Sequence, residues 1–322
     1  MRLPENDWAF AGLELRTQSD YEKVYGNSNF SGKVHDSSLL YRWQWELVAD
    51  ACIDLSQSEA DDSNHHLLIT WLLNAAIVLE GESSERCYRV IASYLKDENP
   101  RIREWAALAC TDERNPKRSI EWIVPLLDDS NRRVRLSAVS GLRILSAYSA
   151  APLDALLDAL IHEDEEVRLF ASGALGSMAY FGHAADDIFD RLLDVHKNDP
   201  SLNVRVRALY DMANFESQHH RLVPFIRAAM QRSEVEYREA AVDALMNNDS
   251  FDIDICLEIV FAGVSDPSTS VREANCWLLQ SLDVNLLVPH RERLETLAQS
   301  DDECIRDTAD GFLSRIAYKM NK

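Results

Sequence analysis

The chain has 322 residues, and its 54 acidic side chains outnumber 33 basic ones, which gives a formal net charge of −21. A groove that follows a phosphate backbone needs clustered Lys and Arg, so this charge argues against a nucleic-acid partner and favours a basic protein partner. Only 10 Gly and 9 Pro are present, so the loops must be short. No apolar run approaches the ~20 residues of a membrane span.

The six cysteines fall within helical patterns and show no C-x-x-C spacing. Buried thiols in a reducing compartment are therefore expected, rather than a disulfide framework or a zinc site. The first residues lack the apolar stretch of a secretory signal. We expect a cytoplasmic protein without a membrane partner.

The N-terminal third is less regular than the remainder. Residues 1–35 combine Asn, Ser and Gly clusters with scattered aromatic residues, which indicates a mostly extended leader. A helix capped at residues 36–37 then runs to about residue 56, and its apolar stripe consists of Leu40, Trp43, Leu47 and Ala51. A second helix over about residues 65–80 completes a degenerate pair. Residues 36–83 are therefore expected to cap the repeats that follow.

From residue 84 onward the chain repeats itself with a period near 34. Seven arginines mark the repeats: Arg103, Arg135, Arg168, Arg205, Arg238, Arg272 and Arg306. The gaps between them are 32, 33, 37, 33, 34 and 34 residues. Self-similarity at this period predicts stacked copies of one supersecondary unit.

Three positions around each arginine share a helical pattern. The preceding residue is aliphatic or aromatic, the third residue after it is Ala in every repeat but one, which has Asn275, and the seventh is usually a larger apolar residue. Offsets of −1, +3 and +7 lie on one face of a helix and cannot come from a strand. A second apolar helical stretch precedes each arginine helix, at residues 87–95, 120–127, 153–161, 188–195, 222–230, 255–264 and 288–297. The joints are rich in Asp, Asn, Ser and Pro, which cap and start helices, so the unit is helix, tight turn, helix.

This pattern resembles the HEAT repeat of the short bacterial type related to phycobilin lyases, which reads Asp-x-x-x-x-Val-Arg-x-x-Ala-x-x-Ala-Leu-Gly. Residues 129–142, 167–176 and 199–212 follow it, and the resemblance covers roughly residues 84–320. It implies an all-α fold, a right-handed α-solenoid of stacked helix pairs. About seven repeats would occupy residues 84–322, and a single continuous solenoid would span residues 36–322.

The resemblance also implies a ladder in which each arginine pairs with an aspartate of a neighbouring repeat. The aspartates of this ladder would be Asp97, Asp129, Asp199 and Asp266. Three repeats depart from the pattern, with His162, Arg232 and Ser300 at the Asp position. The substitutes would be Asp164, Glu234 and Asp302, two residues further on.

The arginine helices line the concave face in a stack of this kind. Positions +1, +5 and +8 from each arginine point away from the core, and positions +2 and +4 flank them. These positions are apolar or aromatic in the first four repeats and acidic in the later ones. The candidate partner-binding residues are Trp105, Leu136, Leu169, Phe170, Val206, Tyr210, Glu239, Asp243, Glu273, Trp277 and Asp307. Exposed aromatic residues beside charge are typical of protein interfaces. The alternative interpretation is that each aromatic residue packs between repeats. Gly173 and Gly176 indicate either close approach of a ligand or helix packing.

We find no pattern typical of catalysis or metal binding. His162 and Glu163 resemble one of the His-Glu pairs that hold iron in a HEAT-like deoxyhypusine hydroxylase, but that enzyme needs several such pairs. The adjacent histidine pairs at residues 65–66 and 219–220 lack the i, i+4 spacing of a helical metal site. No phosphate loop or G-x-S-x-G elbow is present. The sequence therefore predicts no enzyme activity, no cofactor and no metal.

The predicted function is a scaffold, adaptor or inhibitor that binds a basic protein, with a bacterial immunity protein as a special case. One alternative, implied only by the resemblance, is a bilin lyase or chaperone-like subunit acting on a biliprotein, with Cys110 and Cys276 as the thiols nearest the open face. The other is a HEAT-like nucleic-acid-processing protein. The sequence indicates neither the identity of the partner nor the oligomeric state.

Overall fold

A computed structural model describes residues 9–10, 13–14, 42–56, 65–112, 115–183, 186–246 and 251–320. The chain divides into two compact units, residues 1–155 and residues 156–322. The only strands in the described part are β1 (Ala9–Phe10) and β2 (Leu13–Glu14), which pair antiparallel. The rest is helices, turns and short joints, which confirms the predicted all-α class. The other residues of the predicted leader lie outside the described ranges.

The helices follow the predicted alternation. Those of the first unit are α1 (Arg42–Ser56), α2 (His65–Val78), α3 (Gly81–Tyr94), α4 (Pro100–Ala109), α5 (Pro116–Ile123) and α6 (Arg132–Ser146). The division at residue 155 falls within α7 (Leu153–Ala159). Those of the second unit are α8 (Glu165–Tyr180), α9 (Asp186–Asn198), α10 (Leu202–Asp211), α11 (His219–Met230), α12 (Val235–Met246), α13 (Ile253–Gly263), α14 (Thr269–Ser281), α15 (Val284–Leu287), α16 (Arg291–Leu297) and α17 (Glu303–Met320). None of the described helices is both long enough and apolar enough to cross a bilayer.

Side chains at the joints cap the arginine helices, as the turn chemistry predicts. Asn99 accepts a hydrogen bond from the Arg101 N–H, and Pro100 follows it as the first residue of α4. Asp164 caps α8 in the same way by accepting from the Glu166 N–H at 2.8 Å. Each cap satisfies a first-turn N–H that the helix itself cannot bond, so the helix starts at a fixed residue.

Two of the predicted first helices are interrupted by proline. The stretch at residues 120–127 leaves α-helical geometry after Ile123 and continues as a 3₁₀-helix over Val124–Asp128, which includes Pro125. The stretch at residues 288–297 begins as a 3₁₀-helix over Val288–His290, around Pro289, before α16 starts. A proline lacks the N–H that the α-helical ladder needs, and its ring opposes the preceding turn.

The predicted apolar stripe of α1 is wrong. Leu47 is 48% exposed, whereas Trp45 is fully buried and leads a different stripe with Val48 and Cys52. Both sets have helical spacing, so periodicity alone cannot choose between them. The choice follows from the ring contact of Trp45 with Trp71 of α2, with ring centroids 5.8 Å apart. Leu40 and the side chain of Trp43 lie outside the described part of the chain.

The core of each unit follows the offsets predicted around the arginines. In the first unit Val134, Ala138 and Leu142 of α6 are all 0% exposed, and the equivalent residues of α8 in the second unit are equally buried. The small Ala at +3 lets neighbouring helices approach closely. Asn275 of α14 breaks this rule, and Gly263 of α13 compensates, because a Cβ on Gly263 would lie 2.0 Å from the Asn275 side-chain nitrogen.

Four of the seven arginines pair with an aspartate about 30 residues further along the chain. Arg168 donates from Nε and Nη2 to Asp199 at 2.7 and 3.1 Å, while its Nη1 donates to the carbonyls of His162 and Glu163. The other pairs are Arg103 with Asp129, Arg238 with Asp266, and Arg272 with Asp302.

Arg135 and Arg306 likewise donate from Nη1 to turn carbonyls of their own repeats. Asp97 accepts from the Asn99 N–H and braces the turn before α4.

The fourth repeat departs from the ladder. Arg205 donates from Nε to the hydroxyl of Tyr237 at 3.1 Å instead of to the predicted substitute Glu234. Glu234 accepts a hydrogen bond from Ser233. Arg232, at the Asp position, lies over the Tyr237 ring with 5.1 Å from its guanidinium carbon to the centroid. A buried phenol therefore takes the place of the carboxylate.

Candidate functional site

In the second unit the five arginine helices α8, α10, α12, α14 and α17 pack side by side in chain order. Their −1 and +3 side chains are buried, as are their +7 side chains apart from the half-buried Leu313 of α17. The +1, +2 and +5 positions of these five helices, apart from the buried Gly173, Ala240 and Thr308, form a surface that we call the arginine-helix face.

The predicted residues of this face differ widely in exposure. Trp277 of α14 is 65% exposed and Phe170 of α8 is 39% exposed. Glu273 and Asp307 are also exposed. The half-buried members are Leu169, Val206, Tyr210, Glu239 and Asp243. Trp277 is therefore the aromatic side chain that this face presents most fully to solvent.

Tyr210 is less open than its +5 position predicts. It is half-buried, and the guanidinium carbon of Arg207 lies 5.2 Å from its ring centroid. An arginine over an aromatic face is a favourable cation–π arrangement. Tyr210 therefore helps to hold Arg207 as well as contributing to the face.

In the first unit, Trp105 of α4 and Leu136 of α6 are half-buried. The guanidinium carbon of Arg101 lies 5.6 Å from the ring centroid of Trp105, one helical turn away. Neither residue is presented as openly as Trp277. The predicted apolar strip is consequently a partly covered surface in this unit.

Carboxylates dominate the later helices of the face. Glu239 and Asp243 lie one turn apart on α12, and burial, followed by the charge of Glu239, raises the pKa of Asp243. Like charges at this spacing repel each other, and a cation from outside the chain would relieve the repulsion. Across the +1, +2 and +5 positions of the five helices, Arg207 is the one basic residue.

Arg207 is held by a buried carboxylate that the sequence analysis missed. Its Nε lies 3.0 and 2.9 Å from the two oxygens of Asp211, which is 1% exposed and also accepts from the Ser172 hydroxyl at 2.8 Å. Burial raises the pKa of Asp211 against the opposing effect of Arg207 and Ser172. The i, i+4 spacing of Arg207 and Asp211 was visible in the sequence, but their partner helix was not.

Gly173 and Gly176 serve packing around this pair. A Cβ on Gly173 would lie 2.7 Å from Nη2 of Arg207, and a Cβ on Gly176 would lie 2.8 Å from Cβ of Asp211. Each glycine in a helix interior costs about 1 kcal/mol relative to alanine. Both glycines of α8 therefore make room for Arg207 and Asp211, which settles the two interpretations in favour of helix packing.

Packing accounts for the two candidate thiols, and a turn accounts for His162 of the His162-Glu163 pair. Cys110 and Cys276 are both 1% exposed, and burial raises the pKa of Cys276 to about 12. All six cysteines are free. His162 accepts a hydrogen bond from the Asp164 N–H through Nδ1 and belongs to a turn. Within the described ranges no group of three His, Cys, Asp or Glu is placed to hold a metal.

Comparison with known proteins agrees with this architecture. A family model for HEAT repeats matches residues 72–143 and 88–176. No curated protein matches significantly. Among solved structures, importin beta in a polyethylene glycol condition gives a TM-score of 0.58 at 13% identity, covering 85% of this chain and 43% of importin beta.

A second structure, in which Kap95p binding induces the switch loops of RanGDP to adopt the GTP-bound conformation, gives a TM-score of 0.57 at 13% identity, with the same coverage. The chain thus spans less than half the length of these proteins. Identity this low shows the fold and nothing about partners. Residues 72–176 are similar to HEAT repeats, and the chain has the helical solenoid fold of these structures.

Proposed function

We propose that this protein is a non-enzymatic binding module that holds a basic protein partner on the arginine-helix face of its second unit. The observation that carries the proposal is Trp277, which is 65% exposed on a face where Glu273 and Asp307 are also exposed. Exposed apolar patches rimmed by polar groups are typical of interaction sites, and Trp277 is the largest apolar side chain exposed on this face. Tryptophan is among the residues most often found to dominate binding energy.

Charge supports a basic partner in particular. The chain carries −21 formal charges, and the described carboxylates of the face are set against a single arginine. A surface of one sign steers an oppositely charged partner into contact and disfavours partners of the same sign. It also disfavours a nucleic acid, whose phosphates would meet carboxylates.

Two finer features belong to this proposal. Inhibition of a basic enzyme or toxin by covering its surface, as an immunity protein does, is the mode that suits a large acidic face. A reducing, cytoplasmic setting suits a chain with six free cysteines. The resemblance to phycobilin-lyase repeats supplies no second candidate, because Cys110 and Cys276 are buried.

The test is affinity purification from the native host with the full chain as bait. The salt concentration is about 100 mM, where the Debye length is about 10 Å and surface charges still attract. Three baits are compared: the unmodified chain, Trp277→Ala, and Tyr180→Ala as a matched control. Tyr180 is 74% exposed but lies at the end of α8.

A basic protein that is retained by the unmodified chain and by Tyr180→Ala, but lost with Trp277→Ala, is the expected result. Elution by salt should then precede any unfolding of the bait. If the retained proteins are acidic, or if Trp277→Ala retains them unchanged, the proposal is wrong.

A further inference from the structure

Arg207 differs from the ladder arginines in how many of its hydrogen-bond donors are used. Arg168 and Arg238 donate from Nε, Nη1 and Nη2, each to a carboxylate or carbonyl oxygen. Arg207 donates from Nε alone, to Asp211. Within the described part of the chain, neither of its terminal nitrogens donates a hydrogen bond.

The chain nevertheless fixes this guanidinium firmly. Asp211 binds its Nε, the Tyr210 ring lies against it, and its Nη2 occupies the space where a side chain on Gly173 would begin. Holding it requires a carboxylate with 1% exposure and a glycine inside a helix, both of which are unfavourable for folding. Replacement of a buried ion pair by apolar residues is often neutral or stabilising, so stability alone does not account for this arrangement.

The side chain of Arg207 is still 43% exposed, so a group from outside the chain can reach it. It is the one basic residue among the outward positions of the face. A guanidinium that is fixed in orientation, with both terminal nitrogens open, is prepared to bind an oxyanion through two parallel hydrogen bonds.

We infer that Arg207 is a carboxylate-binding anchor, which takes one Asp or Glu side chain of the basic partner and so sets the register of that partner on the arginine-helix face. The inference rests on the proposed function. A carboxylate fits better than a phosphate, because a dianion would meet the surrounding negative charge of this face. Lysines and arginines on either side of that acidic residue would meet the carboxylates of α12, α14 and α17.

The first test uses the full chain with ¹⁵N-labelled arginine and follows the side-chain Nε–Hε signals by NMR. Acetate is titrated against chloride at constant ionic strength, and inorganic phosphate is titrated in a parallel series. The Arg207 signal is assigned with Arg207→Lys. We expect its signal to shift several-fold more than those of Arg168 and Arg238 and to saturate with acetate.

A second variant, Gly173→Ala, keeps the charge and displaces the guanidinium. It should reduce the acetate response of Arg207, and circular dichroism checks that the helices remain. If Arg207 responds no more than the ladder arginines, or responds to phosphate at lower concentration than to acetate, the carboxylate assignment is overturned.

The second test uses lysine-rich amidated peptides that carry one Glu at successive positions, each compared with its Gln counterpart. At one position the Glu peptide should bind about tenfold more tightly, a factor that corresponds to about 1.4 kcal/mol, and Arg207→Lys should remove that preference. The inference is contradicted if no position prefers Glu while the peptides bind. If no peptide binds but acetate still saturates Arg207, the proposed function fails and the anion site stands.

Discussion

The five arginine helices of the second unit carry charge along two surfaces that use it differently. We call the side of these helices that carries the inter-helix turns the turn edge. There the ladder pairs of Arg168 with Asp199 and Arg238 with Asp266 are almost fully buried, and every nitrogen of the two guanidinium groups donates a hydrogen bond. On the arginine-helix face, carboxylates and Trp277 are open to solvent, and Arg207 keeps two terminal nitrogens unused by described residues. The same helices thus separate charge that builds the stack from charge that is available to a partner.

The comparison predicts that the turn edge controls stability. Arg168→Ala should lower the free energy of unfolding by about 3 kcal/mol or more, because it leaves the Asp199 carboxylate buried without its cation. Urea denaturation followed by circular dichroism measures this. Arg227→Ala removes an arginine whose pair with Glu258 is half-exposed, and it should change stability little. Equal losses of stability in the two variants would contradict the conclusion that the ladder pairs control stability.

A packing change between α13 and α14 should have the next largest effect on stability. Gly263→Ala places a Cβ 2.0 Å from the Asn275 amide, so the free energy of unfolding should fall by about 2–3 kcal/mol. The double variant Gly263→Ala with Asn275→Ala restores the Ala that the other repeats have at this position. It should recover most of the loss in thermal denaturation, and failure to do so would mean that Asn275 has another role.

A substitution on the arginine-helix face should weaken binding more than stability, which is the reverse of a substitution in the ladder. Trp277→Ala should weaken binding of the purified partner by about 2 kcal/mol, or roughly 30-fold, with little loss of thermal stability. Calorimetric titration and a melting curve on the same variant separate the two effects. A parallel loss of stability and affinity would place Trp277 in the core rather than at an interface.

The smallest effect concerns a half-buried histidine, His196 of α9. Burial lowers the pKa of His196 below its usual 6.5, and its Nδ1 lies 3.0 Å from the Arg205 carbonyl oxygen. Below about pH 6.5 the unfolded chain takes up a proton before the folded chain does, so stability should fall with decreasing pH and level off once folded His196 is protonated. His196→Phe, which can keep the edge contacts with Phe225 and Tyr237, should show a weaker pH dependence in urea denaturation.

Much of the architecture was predictable because local sequence encodes the repeat. The arginine period, the buried −1, +3 and +7 positions, and the capping residues at the joints all act within one helix pair. Helix periodicity and capping depend on neighbours a few residues away, so no tertiary information is needed to read them. The two proline interruptions were also readable in principle, since an interior proline removes a hydrogen bond from the α-helical ladder. The sequence did not indicate that α11 would continue through Pro224.

The details of the candidate site were less predictable. Helical offsets from each arginine indicated which residues lie outward, but not that Trp277 would be exposed while Tyr210 is half-buried beside Arg207. The pair of Arg207 with Asp211 depends on Ser172 and Gly173 of the neighbouring arginine helix α8, more than 30 residues away. No local pattern encodes which side chains of two helices meet.

The sequence by itself determined a helical repeat protein with an acidic surface and an arginine in every repeat, because these properties follow from composition and local periodicity. Only the tertiary structure decided which of two equally spaced stripes α1 buries, that Tyr237 replaces an aspartate in the ladder, and that Arg207 is anchored yet open. Each of these depends on the shape that a neighbouring helix presents, and shape complementarity between helices is set by packing rather than by spacing along the chain.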